Sequence, residues 1–290
     1  VDDFASGSKS ALFGGVTFFI DYTMQVKGDS LKKSFRLRRK EAEGYGSYID
    51  YSFHIGITDW NEKTYREARD LIIQGFPSFK MFLIYKDKGW NSEDSDIFDA
   101  LERLSPKGAI IEVHSENDAL IKLFTSRLVK EKRTSIKYHP LSRPDFVEGE
   151  AINRILYLNR FAKGVLYVVH ISTEYGIRAI HQAKKQGIKV FAETCPQYLT
   201  LTRGVFNRKD AELFATCPPV REREDVNYLW RMIDEGGVDV IATDHCAFSI
   251  SQKKKFKRDF RKMAFGLPGV EYSFPIVYTE GYMKRGISLN

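Results

Sequence analysis

The sequence predicts an α/β fold built on a parallel sheet, and three observations predict it. Seven short, mostly near-continuous apolar stretches alternate along the 290 residues with helix-like segments. These stretches are apolar at both parities, as strands covered on both faces must be. Glycine and polar turn residues bound them. Such alternation fits either a (β/α) barrel or a doubly wound sheet. No Gly-x-Gly-x-x-Gly follows the first strand and no Walker pattern occurs, which disfavours the nucleotide-binding version.

Taken in order, Gly14 to Asp21 is a β-branched and aromatic run, and Leu31 to Glu43 a charged helix. Tyr48 to Ile57 is the second strand, followed by a helix from Glu62 to about Gln74 for which Thr58 or Asp59 is the expected cap. Ser78 to Tyr85 is the third strand, and a helix through Ile97 to Leu104 leads to the fourth, Gly108 to His114. Apolar residues at 151, 152, 155, 156 and 158 mark a helical stripe within Glu150 to Phe161, before the strand Gly164 to His170. Ile177, Ile180 and Ala183 form a helix face closed by Gly187, and the strands Lys189 to Cys195 and Val238 to His245 complete the series.

Composition narrows the function. Hydrophobic residues make up 43% of the chain, and 45 basic against 38 acidic residues leave +7. That balance is mild, and without Arg-rich or RNP-like patterns it does not predict nucleic-acid binding. The run Lys253 to Lys262, broken by Phe256, Asp259 and Phe260, reads as a solvated face. Three scattered cysteines (195, 217, 246) argue against a disulfide framework and for a reducing compartment. No apolar run approaches ~18 residues and no signal pattern opens the chain, so the expectation is a cytoplasmic protein away from membranes. Val1-Asp2-Asp3-Phe4 lacks an initiator methionine and Ser288-Leu289-Asn290 adds no closing element, as in an excerpt of a longer polypeptide.

Lys80 is the residue that does not fit its strand. Burial removes the water that keeps an ammonium charged, lowering its pKa and freeing a neutral amine. The alternative is a snorkelling lysine on a half-exposed strand. His114, His170 and Asp244 each close a strand before a polar loop. In a barrel those ends meet on one face, and neutral imidazoles with a carboxylate form a ligand set for zinc or a similar divalent ion.

The segments Ser78 to Tyr85, Glu112-Val113-His114-Ser115-Glu116-Asn117, Tyr138 to Pro144 with Glu148-Gly149-Glu150, Val168 to Ser172, Glu193 to Leu199, Thr243 to Cys246 and Gly266-Leu267-Pro268-Gly269 resemble, in order and spacing, the hydantoinase and dihydropyrimidinase branch of the cyclic amidohydrolases. The resemblance implies a TIM-type (β/α)8 barrel, with residues 1–290 a partial catalytic domain lacking the first strand and a flanking small β domain. It implies hydrolysis of the cyclic amide of hydantoins or 5,6-dihydropyrimidines to N-carbamoyl amino acids, with a small-molecule cyclic amide as substrate and a homo-oligomer, tetramer or dimer. Two divalent ions, zinc first, would be bridged by a carboxylated Lys80. His114 and His170 match the ligands of the second ion and Asp244 a ligand of the first. A hydroxide between the ions would be the nucleophile, Asp244 its proton acceptor and donor to the leaving nitrogen, and Tyr85 the oxyanion donor. Five residues separate Tyr85 from Lys80, so the strand must bend or end before Tyr85 if both serve one site.

Departures from the pattern accompany the match. The family's His-x-His pair is absent from this sequence, and the opening residues resemble the segment shortly downstream of it. Cys217 and Phe265 stand where relatives have serine and asparagine and where the ring is held largely by backbone. Cys217 reads as a small filler, because no base accompanies it. His54 and His139 read as structural, His181 as solvated, and His245 as turned away from the face of Asp244. An allantoinase or dihydroorotase activity, and a non-catalytic scaffold similar to the collapsin response mediator proteins, are the competing expectations.

Overall fold

The computed structural model describes residues 2–288. Val1, Leu289 and Asn290, on which part of the reading of the chain ends fell, lie outside the described residues. Seven strands are present among them, all parallel and ordered as in the sequence: β1 (Phe18–Met24), β2 (Asp50–Gly56), β3 (Ser78–Phe82), β4 (Ile110–His114), β5 (Leu166–Val168), β6 (Val190–Thr194) and β7 (Val240–Ile241). This is a curled α/β sheet of barrel type. No ladder joins β7 to β1 among the described residues.

Strand alternation sorts the residues onto two chemically different faces. Phe53, Ile55, Phe79, Met81, Ile111, Val113, Leu166 and Val168 are buried in the main core under the helices. The opposite face holds Tyr22, His54, Ser78, Lys80, Glu112, His114, Tyr167 and Glu193. The ladder fixes its layers: Tyr22 pairs with His54, Gly56 with Lys80, Lys80 with Glu112, Phe82 with His114, and Glu112 with Tyr167. A run apolar at one parity and polar at the other thus produces a dry outer core and a polar interior.

The structure adjusts several predicted boundaries. A helix, Phe4–Phe13, capped by Asp3, precedes β1, and Gly14 and Gly15 turn the chain before Phe18 instead of beginning the strand. Neither Thr58 nor Asp59 caps the next helix. Thr58 donates its hydroxyl to Gln25 O (2.9 Å) and Asp59 accepts from Gly28 N–H (3.1 Å). Asn61 does the capping, its Oδ1 3.0 Å from the amides of Lys63 and Thr64. The helices Asp118–Lys130 and Arg223–Asp234 went unanticipated; each follows a polar cap, Asn117 and Glu222. The last strand is the most overestimated, since only Val240–Ile241 pair with β6.

Two glycines are imposed by close approach. A Cβ at Gly56 would lie 2.5 Å from Thr23 O, where β2 passes the end of β1, and one at Gly164 would lie 2.8 Å from Leu101. No helix among the described residues is long and apolar enough to cross a membrane. Because Ile111 is fully enclosed between the sheet and its helices, Ile111→Ala should cost about 2–5 kcal/mol, measured as a lowered urea midpoint at unchanged m-value.

Candidate active site at the carboxyl ends of the strands

Lys80 lies on the interior face of β3 and is only 4% exposed, so the snorkelling alternative does not apply. Its ammonium makes no hydrogen bond or ion pair among the described residues; the Tyr22 and Phe82 rings lie 5.5 and 5.6 Å from Nζ. Burial lowers its pKa, and the charges of Glu112, Glu193 and Asp244 oppose that shift without abolishing it. Two of those carboxylates are held elsewhere. Glu112 is approached by His54 and Ser78 and accepts from Tyr22 Oη at 2.8 Å. Glu193 accepts from Tyr167 Oη (2.7 Å) and from the amide of His170 (3.0 Å). Burial opposes ionisation of Glu112, but His54 and Lys80 keep its pKa below normal.

The strand ends bring the predicted histidines together. The rings of His114 and His170 stand edge to face with centroids 4.4 Å apart. His114 Nε2 meets Glu116 Oε2 at 2.7 Å, which leaves Nδ1 as the nitrogen available to a ligand. Arg143 Nη1 donates to the same Glu116 oxygen at 2.6 Å. Although burial raises the Glu116 carboxyl, Arg143 and His114 bring it down to about 2. Burial also lowers both histidines, so each is a neutral imidazole at pH 7. Asp244 is half-buried, and burial pushes its carboxyl up to about 7 against the pull of Lys80.

Backbone conformation marks the same residues. Among the described residues only five that are not glycine have positive φ, and three are Tyr85 (70°), His170 (41°) and Asp244 (45°). Left-handed backbone costs on the order of 1–3 kcal/mol at such a residue and persists where its surroundings over-determine it. The turn at Tyr85 resolves the parity problem: β3 ends at Phe82, and Tyr85 swings back until its ring is 5.3 Å from that of His114. Trp90 and Phe82 extend this aromatic wall, 5.7 and 6.1 Å from Tyr85.

Cys217 and Phe265 meet around His139. Cys217 Sγ is 3.9 Å from His139 Nε2, and the Phe265 ring is 4.5 Å from the His139 ring. Nε2 donates to Thr216 O at 2.9 Å, so His139 offers the thiol no base. Burial pushes the thiol up to about 11. His245 is occupied outside the cluster, with Nε2 2.8 Å from Asp2 Oδ2 and Nδ1 accepting from the Val270 amide.

Among the described residues no three His, Cys, Asp or Glu side chains form a metal-type cluster. The donor set nevertheless fits one if Lys80 is counted as a carboxylate, since its buried, unpaired amine shares the inner face with Asp244 and two neutral imidazoles. The interior carboxylates Glu112 and Glu193, and the carboxylates Glu116 and Glu148 behind the strand ends, had no assigned role in the sequence reading. Their signal was there, in acidic residues placed inside or beside otherwise apolar strands. Lys253 corrects the reading of a solvated run: it is 3% exposed and donates to backbone carbonyls.

Comparison with known proteins follows the same geometry. No family model matches the chain. A D-hydantoinase of Geobacillus stearothermophilus is 35% identical over 293 residues, covering all of this chain and 62% of that protein. A D-phenylhydantoinase of Escherichia coli O1:K1 is 37% identical over 99% of the chain and 62% of its own length. The crystal structure of dihydropyrimidinase from Brevibacillus agri superposes with a TM-score of 0.96 at 34% identity, over 99% of this chain and 63% of that one. Along its whole length the chain is similar to hydantoinases and a dihydropyrimidinase. It spans about 62% of the length of the curated relatives it matches. An L-hydantoinase of Arthrobacter aurescens is also similar, at TM-score 0.89 and 28% identity.

His139 supplies a pH test free of the metal question. Burial, and then Arg143, bring its pKa down from 6.5 to about 3, so the unfolded chain binds a proton that the folded one refuses between those values. Its share of stability is intact above pH 6.5 and is lost as pH falls toward 3, on the order of a few kcal/mol. Urea unfolding from pH 7.5 to 5 should show stability falling with pH, with a visibly shallower slope in His139→Gln.

Proposed function

We propose that the chain provides the catalytic barrel of a metal-dependent hydrolase that opens the cyclic amide of hydantoins or 5,6-dihydropyrimidines to N-carbamoyl amino acids. The observation that carries the reading is Lys80: a buried amine without a partner, facing three carboxylates beside two neutral histidines. An uncharged amine is the form that adds carbon dioxide, and burial favours it. We infer that Lys80 is N-carboxylated and that, with His114, His170 and Asp244, it holds two divalent cations, zinc first. Such ions supply Lewis acidity and bring the pKa of water toward neutrality. This sequence contains no His-x-His, so the other family ligands of the first ion are not among its residues.

The chain's own residues would do the rest. Asp244, with its carboxyl near neutrality, accepts a proton from the attacking water and returns it to the leaving ring nitrogen. Tyr85, whose pKa is raised by burial, remains a phenol and donates to the carbonyl oxygen as charge develops there. The backbone beside Cys217 and Phe265 holds the ring. Glu116 orients His114 through Nε2, the arrangement by which a carboxylate fixes a ligand imidazole. The free cysteines support a reducing, cytoplasmic setting, and the resemblance supports a homo-oligomer. The competing scaffold reading has no use for a buried unpaired lysine beside two histidines.

Elemental analysis of the full-length protein should find two equivalents of divalent metal per chain, and 13C-labelled bicarbonate should give a carbamate resonance. Lys80→Ala should lose the metal, the resonance and turnover, with partial rescue of turnover by small carboxylic acids; full activity in that variant would refute the assignment. Tyr85→Phe should keep its metal and lower kcat by roughly 10²-fold, the scale of one oxyanion donor. Loss of metal there would count against its role.

A further inference from the structure

Lys253 opens the most basic stretch of the chain, yet its neighbours Lys254, Lys255 and Lys257 are exposed while it is buried. Its Nζ donates to Ala215 O at 2.7 Å and to Gly266 O. The amide of Gly266 donates to Ala215 O as well, at 3.0 Å. One ammonium therefore joins two segments that lie 38 and 13 residues away from it in sequence. Ala215 stands two residues before Cys217, and Gly266 follows Phe265 directly. The Gly266 backbone is itself confined: φ is 151°, and a Cβ there would fall 2.5 Å from Cys246 O.

The arrangement is costly unless it has a use. A buried ammonium must replace its lost hydration with hydrogen bonds, and no carboxylate pairs with this one among the described residues. Neutral carbonyls, the thiols of Cys246 and Cys217, and the Phe248 ring 5.7 Å away surround it. Burial brings its pKa down to about 8. A methionine of similar length would fill the space without that cost, but it could not bond to both carbonyls.

We propose that Lys253 is a positioning residue whose ammonium clasps the Ala215–Cys217 and Phe265–Leu267 segments together and so sets the backbone that receives the substrate ring. The substrate part rests on the function proposed above; the clasp itself does not.

The test uses the full-length protein with hydantoin and 5,6-dihydrouracil as substrates. In native wild type, amine-reactive labelling read by mass spectrometry should modify Lys254 and spare Lys253. Lys253→Met should raise KM about tenfold, the scale of one charge-assisted hydrogen bond, with kcat within about threefold, the split expected of uniform ring binding. Amide exchange at 215–217 and 265–267 should quicken. Lys253→Gln, which keeps two N–H donors without the charge, should lie between the two and serves also if the methionine variant does not fold. Labelling of Lys253 as fast as Lys254, or unchanged exchange in a folded variant, overturns the clasp. Faster exchange with unchanged KM overturns its role in holding the ring. If wild type opens neither ring, the hydrolase reading fails and takes the substrate part with it, while labelling and exchange still decide the clasp.

Discussion

The fold depends on an electrostatic imbalance inside the sheet. Lys80 brings one positive charge into a space where Glu112, Glu193 and Asp244 bring three carboxyl groups, and none of the three contacts it. Their attraction does not cancel the desolvation of the enclosed ammonium, whose pKa stays lowered. Glu112 and Glu193 instead take hydrogen bonds from Tyr22 and Tyr167, on the same inner face. Converting Lys80 to a carbamate would reverse its sign and leave an anionic interior that only bound cations could neutralise. On the proposed reading, carboxylation and metal binding are therefore one equilibrium: each state is unfavourable without the other.

The second constraint is where the strands stop. A parallel strand continued in register would carry Tyr85, His170 and Asp244 past the rim of the sheet, and alternation would send Tyr85 and His170 to the wrong face. Left-handed backbone at these three positions turns the chain inward two or three residues after the strands end. Glycine would adopt that geometry more easily, but it has no side chain to offer. The strain is held by neighbours: Glu193 fixes the backbone of His170 from the adjacent strand, and Asp118 accepts from the Tyr85 amide at 3.2 Å.

Much of this was legible in the sequence, and the physical reasons for what was not are specific. Near-continuous apolar runs let all seven strands be located and made Lys80 conspicuous, but reading them as apolar at both parities hid the polar inner face, where Glu112, Tyr167 and Glu193 join Lys80. Boundaries failed where a local polar group had a better partner in three dimensions. Thr58 and Asp59 look like caps until Gln25 and Gly28 claim them. Val238 to His245 reads as a strand because its apolar residues continue, yet pairing with β6 ends at Ile241. Lys253 was missed because burial of one lysine among the seven basic residues of the run Lys253 to Lys262 leaves no trace in composition. Its partners are carbonyls, which every residue possesses.

Behind the strand ends, a buried polar chain makes one unit of the two histidine loops. His114 is bonded to Glu116, Glu116 to Arg143, the Arg143 carbonyl to Arg221, and Arg221 Nε to Ser172 Oγ at 2.9 Å. Glu148 closes it, accepting from the amides of Ser172 and Thr173 at 3.0 Å, directly after the His170 turn. Each charge in this chain would be expensive alone, and the network is tolerable because every charged member has a partner of opposite charge, even though Glu116 Oε1 accepts and Arg221 Nη2 donates no hydrogen bond. Such a network resists partial rearrangement, since moving one imidazole leaves a buried guanidinium or carboxylate unpaired. It therefore holds the two rings at a fixed separation before any ligand arrives. Pre-organisation of that kind is what a site needs if its neutral histidines are to bind without first giving up hydrogen bonds of their own.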